Sequence, residues 1–166
     1  MKCNDYKSFC ALFDRVIGGL AKEIEEVSGI VFAGGSVIGT LTEGTIGDID
    51  IFLTCALEQA RSVIERIYSA VQKTDNCSSR RILVTRSRHA VTIHRVRGDG
   101  KMAALPVQVI LSVYENVTQL LTGFDIDSCC YAYVPGKGVF ATPRGLRALR
   151  YGRFGALPYR AIPEWL

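Results

Sequence analysis

The chain has 166 residues, 48% of them apolar, and carries a formal charge of +4. That is enough chain for one domain with a real core. No apolar run approaches the roughly 20 residues of a membrane-spanning helix, so no membrane partner is expected. The start, Met1-Lys2-Cys3-Asn4-Asp5-Tyr6, enters an amphipathic pattern unlike a secretory signal, which sets the expectation of an intracellular, cytoplasmic protein. The six cysteines (Cys3, Cys10, Cys55, Cys77, Cys129, Cys130) form no Cys-x-x-Cys pair and have no histidines at zinc spacing. They read as reduced, small apolar residues. Arginine dominates after residue 80, which suits phosphate-bearing partners and serves equally as a solubility device.

In chain order, residues 4–27 read as one helix, with Tyr6, Phe9, Phe13, Ile17, Leu20 and Ile24 on a three-four spaced face. Asn4 or Asp5 can cap it and Gly29 can end it, while Gly18-Gly19 weakens its middle. Ile30-Val31-Phe32-Ala33 is a short buried strand, followed by a Gly34-Gly35-Ser36 turn. Ser36 to Leu41 is a candidate short helix, and Thr42 to Gly47 a loop. A second strand, Ile46 to Thr54, carries Asp48 and Asp50. Strand side chains alternate, so both carboxylates share one face while Ile49 and Ile51 enter the core.

Residues 57–73 form a helix with Leu57, Ala60, Ile64, Ile67, Tyr68 and Val71 on its apolar side. A loop over residues 75–79 leads to a hairpin of Arg81 to Thr85 and His89 to Val96. Val107 to Val113 is a strong strand, Glu115 to Leu121 has helical character, and Ile126 to Val134 is a strand. Pro135-Gly136-Lys137-Gly138 turns into Val139-Phe140-Ala141. Thr142 and Pro143 then start a last helix, as cap and first residue. Strands mixed with helices give an α+β or α/β domain with one mixed sheet. The division is a domain over residues 1–151 and a Gly/Pro-rich C-terminal tail over 152–166.

Two neighbouring carboxylates on a strand repel unless a cation sits between them, and Mg²⁺ takes carboxylate and phosphate oxygens. Glycines let a backbone approach a ligand, and free amides at a helix start hold phosphate. Ala33-Gly34-Gly35-Ser36, eleven intervening residues, then Asp48-Ile49-Asp50-Ile51 resembles the signature of the DNA polymerase β-like nucleotidyltransferase superfamily. The resemblance implies a mixed β-sheet backed by helices in a single α+β domain. It also implies transfer of a nucleoside monophosphate from a nucleoside triphosphate to a hydroxyl of a nucleic acid, protein or small molecule. Asp48 and Asp50 would be the catalytic, metal-holding pair for Mg²⁺ or Mn²⁺; Gly34, Gly35 and Ser36 would bind the nucleotide's phosphates. More loosely, Gln108 to Arg147, with Phe124-Asp125-Ile126-Asp127-Ser128-Cys129-Cys130 and Ala141-Thr142-Pro143-Arg144, resembles uncharacterised proteins of large DNA viruses and fungi. Those often carry ankyrin repeats elsewhere; this chain has none.

The family supplies a third acid on a later strand, here Pro106-Val107-Gln108-Val109-Ile110-Leu111, and the expected position holds Gln108. Glutamine adds no charge to offset a second ion. Asp125 and Asp127 are the possible replacements, with the alternative that one caps a turn and the other pairs with an arginine. Arg86, Arg88, Arg144 and Arg147 are candidates for the triphosphate. Two functions therefore stand side by side: a metal-dependent nucleotidyltransferase, and a catalytically degenerate fold that binds nucleotide, nucleic acid or protein. A nucleic-acid module on the arginine face ranks behind both, because no aromatic stacking stripe is evident.

Overall fold

A computed structural model describes residues 5–74 and 80–151. The expected loop at 75–79 and tail at 152–166 lie outside the described residues. Among the described residues, seven strands make one mixed sheet: β1 (Ile30–Ala33), β2 (Ile49–Leu53), β3 (Arg80–Arg86), β4 (Ala90–Arg97), β5 (Val107–Val113), β6 (Tyr131–Val134) and β7 (Gly138–Ala141). Their order is β3-β4-β5-β2-β1-β6-β7. Only β2 and β5 run parallel; every other neighbouring pair is antiparallel. The helices are α1 (Tyr6–Val16), α2 (Leu20–Glu23), α3 (Gly35–Thr42), α4 (Ala60–Lys73), α5 (Val117–Thr122) and α6 (Pro143–Tyr151). The described residues form an α+β domain with one mixed sheet backed by helices.

Alternation along the central strands sorts their side chains into two apolar layers. Ile30, Phe32, Ile49, Ile51, Leu53, Val107, Val109 and Tyr133 join the main core with residues of α1 to α4. There Phe13 meets Phe32 and Tyr133 edge-on, with ring centroids 5.2 Å apart. Val31, Ala33, Phe52 and Ala132 point to the other face, where Leu120 and Leu121 of α5 make a smaller core with them. Ile93 of β4 is buried in the main core, whereas Leu83 and Val84 of the edge strand β3 stay 55% and 46% exposed.

Four expectations from the sequence change. The single helix over residues 4–27 is two, because Gly18 and Gly19 take φ of 72° and 83° and end α1 there. Asp5 is the cap that closes its start, accepting from the Ser8 amide at 2.7 Å. The second strand begins at Ile49 instead of Ile46, so Asp48 stands immediately before it. The expected strand over 126–134 shortens to β6, because residues 127–129 wind into a 3₁₀ turn. Leu57 belongs to another 3₁₀ turn ahead of α4 and is 72% exposed instead of facing the core.

Candidate functional site

The acidic pair is fixed by the middle of the sheet. Ile49, Ile51 and Leu53 are fully buried beneath the helices, which forces Asp50 to the opposite face. The Ile49 amide donates to the Pro106 carbonyl at 2.9 Å, tying the start of β2 to the start of β5. In the parallel pairing that follows, Gln108 stands in register with Asp50. Its side-chain amide donates to Asp48 Oδ2 at 3.1 Å. The row continues across β4, where Thr92 pairs with Gln108. Burial and then the Asp48 charge push the Asp50 carboxyl up to about 6.

The glycine turn faces this pair. Gly34 has φ of 80°, which lets the chain leave β1 sharply while its amide donates to the Tyr131 carbonyl at 3.0 Å. A methyl group on Gly34 would sit 3.7 Å from Asp50 Oδ2 and 3.9 Å from the Phe124 ring. Gly35 opens α3, and a methyl group there would meet nothing within 4 Å. Ser36, in the first turn, is 1% exposed, and its hydroxyl has no hydrogen-bond partner among the described residues. A buried hydroxyl left unpaired is costly, about 1–3 kcal/mol, so a ligand oxygen reaching it recovers that cost. Together the first-turn amides, the open space at Gly35 and the Ser36 hydroxyl could receive an oxyanion.

The far end of α3 brings the chain back to Asp48. Gly39 packs against Ile46 so closely that a methyl group would lie 2.6 Å from its Cγ1. The Gly44 amide then donates to the Gly39 carbonyl at 2.8 Å, after Glu43 has turned through φ of 54°.

Two carboxylates beside an oxyanion receptor fit one hard divalent cation shared with a phosphate chain. Among the described residues, no group of three or more His, Cys, Asp or Glu side chains could hold a metal. Asp125 lies exposed in a bend, and Asp127 begins the 3₁₀ turn. They do not open a strand. The Asp127 carboxylate accepts from Arg144 Nη1 at 3.0 Å. The Cys129 thiol is pushed up chiefly by burial, and the Asp125 and Asp50 charges add to the effect. Of the candidate arginines, Arg144 is engaged by Asp127 and by the Leu121 and Thr122 carbonyls at 3.0 and 3.3 Å. Arg86, Arg88 and Arg147 are exposed.

Three features escaped the sequence reading: the hydrogen bond from Gln108 to Asp48, the burial of Ser36, and the ring of Phe124 beside Gly34. Phe124 packs on Phe52 with centroids 5.5 Å apart, but it follows a helix end and carries no periodic signal.

The sequence matches the family described as "Gad2: Gabija anti-defense 2 family protein" over residues 4–150. No curated protein matches it. Among solved structures, an apo CCA-adding enzyme superposes with a TM-score of 0.53 at 17% identity, over 90% of this chain and 33% of that one. The Thermotoga maritima CCA-adding enzyme complexed with tRNA gives 0.51 at 16% identity, over 87% and 32%. The Bacillus stearothermophilus CCA-adding enzyme in complex with CTP gives 0.50 at 16% identity, over 83% and 32%. The chain therefore spans about a third of the length of these enzymes, and the likeness is one of fold.

Proposed function

The chain belongs to the Gabija anti-defense 2 family, and from that premise we propose that it is a metal-dependent nucleotidyltransferase whose reaction serves to counter Gabija defence. The observation that carries the chemistry is the oxyanion receptor facing the acidic pair, with Asp50 Oδ2 3.7 Å from the position of a methyl group on Gly34. The Ser36 hydroxyl and the first amides of α3 bind the phosphates of a nucleoside triphosphate. Asp48 and Asp50 hold Mg²⁺ or Mn²⁺, which when bound offsets the charge of the phosphate chain. A nucleoside monophosphate passes to a hydroxyl of a nucleic acid or protein, and pyrophosphate leaves. The CTP and tRNA bound by the structurally similar enzymes support these partner classes. The family match over residues 4–150 supports reading residues 1–151 as one nucleotidyltransferase-like domain, with 152–166 outside it.

Gln108 favours a second reading. It stands in register with Asp50 and already donates to Asp48, which fits a fold that binds nucleotide without transferring it. Pyrophosphate release from each nucleoside triphosphate, with Mg²⁺ or Mn²⁺ and mixed acceptors, separates the two readings. Release that disappears in Asp48→Ala/Asp50→Ala supports transfer. Metal-dependent nucleotide binding without release supports the second. Expressing both forms in Gabija-carrying cells tests the biological role: the wild type is expected to suppress the defence. Equal suppression by the double variant would separate that role from the site.

A further inference from the structure

On the same face of the sheet as the acidic pair, a concavity of about 760 Å³ is lined by neither aspartate. Val31, Val134 and Phe140, from β1, β6 and β7, form its apolar floor, and Val117 and Leu121 of α5 form one wall. Phe140 is 41% exposed there. Among the described residues the lining includes three cations, Lys137, Arg144 and Arg147, and no carboxylate. Arg144 is held by Asp127 and the α5 carbonyls, and the Thr142 hydroxyl accepts from the Gly145 amide at 3.2 Å. Lys137 and Arg147 are exposed, and their side chains make no hydrogen bond or ion pair with the described residues.

We propose that this cavity binds a small amphipathic anion, an organic molecule with a flat apolar body and one phosphate, sulfonate or carboxylate group. The volume is that of a small-molecule site. Phe140 and the aliphatic floor bury the body, and release of water from these side chains drives binding. Lys137 and Arg147 meet the anion at the rim, where the lack of any lining carboxylate excludes cations. The rigid wall comes from Arg144, whose fork fixes the end of α5. This assignment does not depend on chemistry at Asp48 and Asp50.

The test uses the full chain and two fluorescent dyes of similar body, anionic anilinonaphthalene sulfonate and uncharged phenylnaphthylamine. One saturable site is expected, about tenfold tighter for the sulfonate. Lys137→Glu/Arg147→Glu is expected to remove that preference while leaving phenylnaphthylamine binding and the thermal midpoint in place. Phe140→Ser weakens both dyes; Asp48→Ala/Asp50→Ala weakens neither. Displacement of the dye by adenosine monophosphate or by 2-naphthoate is expected, and shows whether the anion is a nucleotide or an aromatic carboxylate. Equal affinity for the two dyes, charge reversal without effect, or displacement by neither compound would overturn the proposal.

Discussion

Asp50 carries a carboxyl raised from 3.8 to about 6 by burial and by the charge of Asp48. Between these values the folded chain keeps a proton that the unfolded chain has released. Stability therefore falls as pH rises through that window and stays reduced above it. At this partly exposed group the effect is on the order of 1–2 kcal/mol after screening. Asp50→Asn is expected to stabilise the metal-free protein by that amount near pH 7.5 and by little near pH 3.5, as read by urea unfolding. An equal gain at both would assign the effect to shape instead of charge. Gln108→Glu works in the opposite sense. A third carboxylate beside Asp50 and Asp48 is expected to cost the metal-free protein about 1 kcal/mol near neutral pH and to tighten Mn²⁺ binding about tenfold. Calorimetric titration with Mn²⁺ measures it, and unchanged affinity would mean that position 108 lies outside metal reach. The residue types of this site were legible in the sequence, because Gly-Gly-Ser and Asp-x-Asp are local patterns. The contact from Gln108 to Asp48 was not, because 60 residues separate them and alternation gives a strand's parity without its register.

At the scale of elements, α3 has two glycines with opposite duties. Gly35 borders open space where the phosphate chain would approach, whereas Gly39 touches Ile46. Gly35→Ala is expected to leave the thermal midpoint nearly unchanged and to weaken nucleoside triphosphate binding, because its methyl group enters the receptor. Gly39→Ala is expected to cost about 1–3 kcal/mol, because Ile46 and the segment leading to Asp48 must shift. Unfolding and nucleotide titration of the two variants should give reversed rankings; the same ranking in both would mean that α3 does not divide its roles this way. Which segments became helix or strand was largely legible, since β5 and the capped start of α6 follow from apolar runs and from Thr142-Pro143. Where elements stop depended on tertiary packing. β2 starts only where β5 offers a partner, at the Pro106 carbonyl. Residues 127–129 wind into a turn, so pairing resumes only at Tyr131.

At the scale of the whole molecule, α6 joins the two layers of the sheet. Leu149 packs into the main core, and the buried Tyr131 hydroxyl donates to the Gly145 carbonyl at 2.9 Å. Gly145 lies so close to β6 that a methyl group would come within 2.9 Å of the Cys130 carbonyl. From this anchored helix, Arg144 reaches the other layer and donates to Asp127 and to the carbonyls of Leu121, Thr122 and Phe124. Two of those carbonyls end α5, where no helical donor remains, so the guanidinium is the cap of that helix. Arg144→Ala is expected to cost about 2–3 kcal/mol, since several acceptors lose a charged donor and water replaces it only in part. Lysine has no fork with which to reach them together, so Arg144→Lys should recover less than half of the loss. The effect should also travel along this face of the sheet. Phe124 stands 3.9 Å from the position of a methyl group on Gly34, and freeing its carbonyl loosens the wall beside the acidic pair. Nucleotide binding by Arg144→Ala is therefore expected to weaken even at temperatures where the protein is fully folded. If titration there matched the wild type, α6 would hold the layers together without shaping the site.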